Sequence, residues 1–177
     1  MKISFNFSSK DFDQPALERA GIAAAAYPGK WVQSRLAPLC MALEVIRAHY
    51  KGRPLRILPG GGYRSPEYEQ ACGGDERNPH CLGVAADIVV EGISPDDLLV
   101  KIMQLREQGQ IEVAGLGRYR HLVHLDQREV PAGTPLVFWQ QRGNLPLLRQ
   151  DSRETICIMC HRPHSACTCY DIETEGR

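Results

Sequence analysis

The sequence predicts an α+β fold: a small, mainly antiparallel sheet with flanking helices, followed by a short Cys-rich C-terminal tail. Three observations predict it: two helical stretches, several short apolar runs set close together, and the loss of apolar periodicity from about Asn144 onward. Of the 177 residues, 43% are hydrophobic and 24% charged, which suits one domain with a sizeable core and excludes a wholly disordered or collagen-like chain. Lys plus Arg and Asp plus Glu are both 21, so no net field draws the chain to nucleic acid or an anionic membrane.

From Ser34 to His49, Leu36, Leu39, Cys40, Leu43 and Ile46 recur at three- and four-residue intervals, which predicts an amphipathic helix with Ser34 as its N-cap. Lys51-Gly52-Arg53-Pro54 ends it, and Leu55 to Leu58 reads as a short buried strand. After the glycine cluster Gly60–Gly62, Ser65-Pro66 predicts the cap and first residue of a short helix through Gln70. Cys72 to Gly83 is polar and loop-like, and Val84 to Val90 reads as a central strand interrupted by Asp87. Ser94-Pro95-Asp96-Asp97 opens a second helix, with Leu98, Leu99, Ile102 and Leu105 on its buried face and Gly109 as its stop. Ile111 to Leu116 and His121 to Asp126 read as further strands, and Phe138-Trp139 is expected to close the core. The expected division is a domain over residues 1–145 and a tail over 146–177.

The opening MKISFNFSSKDFDQ turns polar before an apolar run can develop, so it does not read as an export signal. GIAAAAYPG is far too short for a bilayer span of ~20 residues. The expectation is a soluble, monomeric protein made in the cytoplasm, without membrane insertion.

An acid inside an apolar strand is costly unless paired or metal-bound, and Asp87 between Ala86 and Ile88 is such a residue. His80 precedes it by seven positions, and His124 sits in the apolar run Leu122–Asp126. Taken singly, each reads as a satisfied buried polar residue. Together, two imidazoles and one carboxylate make a zinc set that leaves a position free for water, the arrangement of a catalytic site.

The runs GGYRSPEY, HCLGVAAD and LGRYRHLVHLD, with the helix LEVIRAHYKGRPLRI before them, resemble the zinc D-alanyl-D-alanine peptidases: the D,D-carboxypeptidases and murein endopeptidases, phage lysins among them. The resemblance runs from about Val32 to Trp139. It implies a Hedgehog/D,D-peptidase-like fold and hydrolysis of peptide bonds in peptidoglycan stem peptides. His80, Asp87 and His124 would hold the catalytic Zn2+. Arg64 would hold a substrate carboxylate or stabilise the developing oxyanion, as suits a planar, permanently charged fork. Where many relatives carry an acid three positions before the last ligand, this chain has His121; the resemblance favours it as general base. Strand alternation sets His121 opposite His124 unless Arg120-His121 belong to a turn, so Asp126 stands as alternative base or as partner of the zinc site. Asn78 replaces the family's serine two before His80. Cys81 would either be a fourth ligand that closes the site or pack as a small apolar residue.

The resemblance leaves a phage or prophage lysin released to the cell wall by a separate hole-forming protein, or a cytoplasmic peptidase acting on small precursors. From another class, a non-catalytic zinc-containing module would bind cell wall or a partner without cutting it.

The seven cysteines are an odd number, which argues against a fully paired disulfide framework. Cys157, Cys160, Cys167 and Cys169 are spaced for a second, structural zinc in a compact knuckle, with His161 and His164 as substitutes or as partners behind the ligands. A redox pair, a disulfide-linked tail, a flexible tail or a zinc-knuckle adaptor are the competing readings. Arg149, Arg153 and Arg162 are too few to argue for nucleic acid.

Overall fold

The computed structural model describes residues 1–140. The division at residues 145/146 and the thiols of Cys157, Cys160, Cys167 and Cys169 lie outside the described residues.

Among the described residues, five strands and three α-helices form the expected α+β arrangement: β1 (Leu55–Ile57), α2 (Pro66–Ala71), β2 (Ala85–Val90), α3 (Pro95–Glu107), β3 (Gly115–Arg118), β4 (Val123–Asp126) and β5 (Val137–Gln140) follow α1 (Ala37–His49). The sheet order is β1-β2-β4-β3-β5; every pairing is antiparallel except β3 with β5. Side chains alternate across a strand. Ala86, Ile88, Val123 and Leu125 therefore join Leu39, Leu43 and Ile46 of α1 and Leu98, Ile102 and Leu105 of α3 in one core. Each fully buried Leu or Ile stabilises the fold by about 1.5–3 kcal/mol.

Two caps are as expected. Ser65 Oγ accepts the Tyr68 N–H at 3.2 Å, and Ser94 Oγ accepts the Asp97 N–H at 3.1 Å. Ser34 caps nothing: it lies inside a π turn, Val32–Leu36, that leads into α1. Pro38 explains this, because its ring lacks an N–H for the Ser34 carbonyl and clashes with it, so the turn widens.

Two further expectations are corrected. The strand expected over Ile111 to Leu116 begins at Gly115; Ile111 and Val113 are buried as loop residues, the latter's carbonyl taking Arg106 Nε–H at 2.8 Å. Alternating apolar residues read as strand, but here they close the end of α3. Phe138 does not close the core, being 47% exposed, because β5 is the outermost strand while α3 packs on β3 and β4. The N-terminal segment, broken by Pro15, Gly21 and Pro28, coils through short 3-10 turns and buries Phe7, Phe12, Leu17 and Tyr27. Glu44 of α1 clasps it, accepting Ser4 Oγ–H at 2.7 Å and the Asn6 backbone N–H at 2.7 Å.

Candidate metal centre

Alternation that sends Ile88 and Val123 to the core sends Asp87 and His124 to the opposite face, where the two are direct cross-strand partners. Asp87 is reached closely by the glycine cluster: a Cβ on Gly61 would stand 2.8 Å from the Asp87 Cβ, so only glycine fits there. His80 arrives from the loop before β2. Asn78 Oδ1 accepts its N–H at 3.1 Å, and Tyr27 Oη donates to the Gly83 carbonyl at 2.7 Å, pinning the loop's far end.

One nitrogen of each ring is committed outward. His80 Nδ1–H donates to the Gly62 carbonyl at 2.7 Å, and His124 Nε2–H donates to Asp126 Oδ2 at 3.2 Å. The inward atoms then meet: His80 Nε2 lies 3.1 Å from His124 Nδ1 and 3.4 Å from Asp87 Oδ2, while His124 Nδ1 lies 2.8 Å from Asp87 Oδ1. With both rings neutral, two nitrogen lone pairs and a carboxylate converge without a proton among them. Such a cluster calls for a cation or a shared proton, and a nitrogen–nitrogen–oxygen set suits zinc. The three donors all lie within 4.8 Å of one another and all three residues are buried.

Electrostatics drive the two rings in opposite directions. Burial lowers His80, and Arg64 lowers it further, so this imidazole stays neutral. Burial also works against charge on His124, but Asp126 and Asp87 outweigh it and raise its value. Burial pushes Asp87 up, yet His80 and the His124 hydrogen bond hold its carboxyl well below the usual range. Asp126 is likewise lowered, the hydrogen bonds of Arg128 and His124 overcoming burial.

Arg64 stands behind Asp87, donating from Nη2 to Asp87 Oδ2 at 2.8 Å, from Nη1 to Glu69 Oε2 at 3.0 Å and from Nε to the Gly60 carbonyl at 2.5 Å. It also reaches the wall of a cleft of about 520 Å³ that opens over His80, Asp87 and His124. Asp126 is fully buried, with Arg128 Nε at 2.7 Å from Oδ1 and His124 Nε2 at 3.2 Å from Oδ2. Cys81 is buried and is not one of the clustered donors; burial pushes its thiol up to about 12, away from a thiolate ligand. His121 sits on the bend before β4, where Tyr119 N–H bonds the Leu122 carbonyl at 3.0 Å, and it is not among the residues lining the cleft.

A family model described as Peptidase M15 matches residues 8–126, more than half of the chain and all of the cluster. The chain belongs to the peptidase M15 family. This is a family of zinc-dependent peptidases, in keeping with the donor set. No curated protein and no solved structure matches the chain. Among the described residues, no helix is long and apolar enough to cross a membrane.

The cleft also contains Glu69, Arg128 and Trp139, which sequence reasoning missed. Glu69 is buried, its Oε1 taking Asn78 Nδ2–H at 2.7 Å. Its only sequence signal is a second acid in the first turn of α2. Arg128 could have been found from its place two residues beyond Asp126, on the same side of an extended chain.

Proposed function

We propose that this peptidase M15 chain is a zinc metallopeptidase that hydrolyses peptide bonds in peptidoglycan stem peptides. The observation that carries the reading is the His80–Asp87–His124 donor set at the floor of an open cleft, inside the family-matched span. These three residues would hold the ion. When bound, zinc supplies Lewis-acid polarisation of the scissile carbonyl and activation of the attacking water near neutral pH.

The remaining steps belong to the chain. Asp126 holds the His124 ring with its Nδ1 facing inward, and Arg64 holds Asp87 while presenting positive charge to the cleft wall, where an oxyanion or a substrate carboxylate would lie. The resemblance assigns proton transfer to His121. Position favours Glu69, the buried carboxylate on the cleft wall, whose two oxygens each keep a lone pair beyond the bonds to Arg64 and Asn78.

Incubating the zinc-loaded chain with purified peptidoglycan tests the reading. Released D-alanine marks a carboxypeptidase and new amines within crosslinks mark an endopeptidase. Intact peptide with measurable binding overturns the reading in favour of the non-catalytic module. His121→Ala that abolishes turnover with zinc retained keeps His121 as base; unchanged turnover, with loss in Glu69→Gln, moves that role to Glu69. The substrate class lies outside the membrane, so release to the cell wall as a lysin is the setting we favour.

A further inference from the structure

Residues 127–140 lie beyond the family-matched span, yet they supply one wall of the cleft. Arg128 spends one edge of its guanidinium on Asp126, with Nε 2.7 Å from Oδ1 and Nη2 2.5 Å from Oδ2. An arginine fork carries five N–H donors and a second usable edge, so among the described residues Nη1 remains for another carboxylate. The side chain is 30% exposed and reaches the cleft.

Trp139 stands beside it. Its indole is seated over Gly117, where a Cβ would come within 2.4 Å of the ring, and its Nε1–H donates to Tyr119 Oη at 3.0 Å. The ring centroid lies 5.1 Å from that of His124, and the Arg128 guanidinium carbon lies 5.9 Å from the indole centroid. Both side chains are thus held in place before any ligand arrives, which lowers the ordering cost of binding. One offers an apolar face and the other an open hydrogen-bonding edge, both next to a proposed zinc ligand.

We infer that Arg128 and Trp139 form a substrate subsite beside His124 that takes a carboxylate-bearing residue of the peptide, its carbon stem against the indole. The inference rests on the peptidase reading and names the chemistry of the substrate on one side of the cleft. The carboxylate comes either from the peptide's C-terminus or from an acidic side chain.

Three versions of one stem peptide separate these sources: all carboxylates free, the C-terminus as carboxamide, and the acidic side chain replaced by its amide. With the zinc-loaded full chain, one of the two amides should raise KM about tenfold, the scale of a lost charge-assisted pair, and identify the source. Trp139→Ala should raise KM for the free peptide by a similar factor, with kcat and zinc content held. In Arg128→Lys the discrimination between acid and amide should shrink. Equal KM for all three peptides in the wild type, or unchanged KM in Trp139→Ala with zinc bound, overturns the subsite.

A binding readout keeps this independent of turnover. Trp31→Phe leaves Trp139 as the sole tryptophan of the chain, and its fluorescence should change on titration with the free peptide and respond about tenfold more weakly to the discriminating amide. A chain that gives this response but cuts no peptide sinks the peptidase reading alone. A chain that cuts peptide without the response sinks the subsite alone.

Discussion

On the helix side of β2 and β4 stand Ala86, Ile88, Val123 and Leu125; on the opposite side, one residue along each time, stand Ala85, Asp87, His124 and Asp126, and both sets are buried. Burial is the same and the physics is not. The apolar face stabilises in proportion to the area it removes from water and tolerates modest reshaping. The polar face is tolerable only because each charge meets a partner: Asp87 meets Arg64 and His124, and Asp126 meets Arg128 and His124. Two faces of one ladder thus divide the work, one holding the strands together and the other holding donors ready for a cation.

The sharpest way to break this division is His124→Ala. Zinc measured by elemental analysis should fall to background and turnover by on the order of 1,000-fold, since Lewis-acid catalysis supplies several kcal/mol, while the far-ultraviolet spectrum persists. Retained zinc would mean that the polar face is structural. Ile88→Ala, on the other face, should cost about 2–5 kcal/mol in denaturant unfolding and leave the zinc stoichiometry unchanged. A comparable loss of zinc would show that the faces are not separable.

Asp126→Asn keeps the shape behind His124 and removes the charge, so zinc affinity by chelator competition should weaken about 10–100-fold. The pH dependence sharpens the comparison further. His124 is raised above its ordinary 6.5, so in the metal-free protein its stabilising contribution is complete below 6.5 and is lost as pH rises through the higher folded value. Zinc takes the place of that proton, so zinc affinity should climb across the same interval. Asp87 and Asp126 are lowered, so their contribution is present above the ordinary carboxylate range and disappears as pH falls through their depressed values. The smallest effect lies away from both faces. Ser94→Ala should cost only about 1 kcal/mol through the lost cap of α3, read as a small drop in Tm with no change in zinc.

Much of this was legible in the residues because local chemistry determined it. Ser65 and Ser94 each precede a proline that can only begin a helix, and Asp87 is conspicuous among apolar neighbours. The same local logic fails wherever a distant part of the chain decides. Ser34 looks like a cap until Pro38 forces the turn before it to widen. Gly115 and Gly117 have poor strand propensity, yet β3 uses them because Asp126 and Trp139 occupy the space a side chain would need. His80 and His124 could be singled out by type and spacing, whereas Glu69 enters the cleft only through the folded path from α2 to Arg64. His121 shows the limit of spacing alone: its place three residues before His124 suggests a role, but the chain bends at Arg120-His121, so strand alternation does not fix which side it takes.

The pairing of Asp87 with His124 across β2 and β4 has a consequence for how such chains fail. A slip of one residue between those strands would turn His124 and Asp126 toward Leu43 and Ile102, and Val123 and Leu125 toward the cleft. No half-assembled centre could survive that exchange, because burying the charges among α1 and α3 would cost more than the ladder returns. Misregistered molecules should therefore be unfolded or aggregated rather than weakly active. In a preparation of this protein, the unaggregated folded fraction and the zinc-competent fraction should be the same molecules, which makes metal content a direct assay of correct strand alignment.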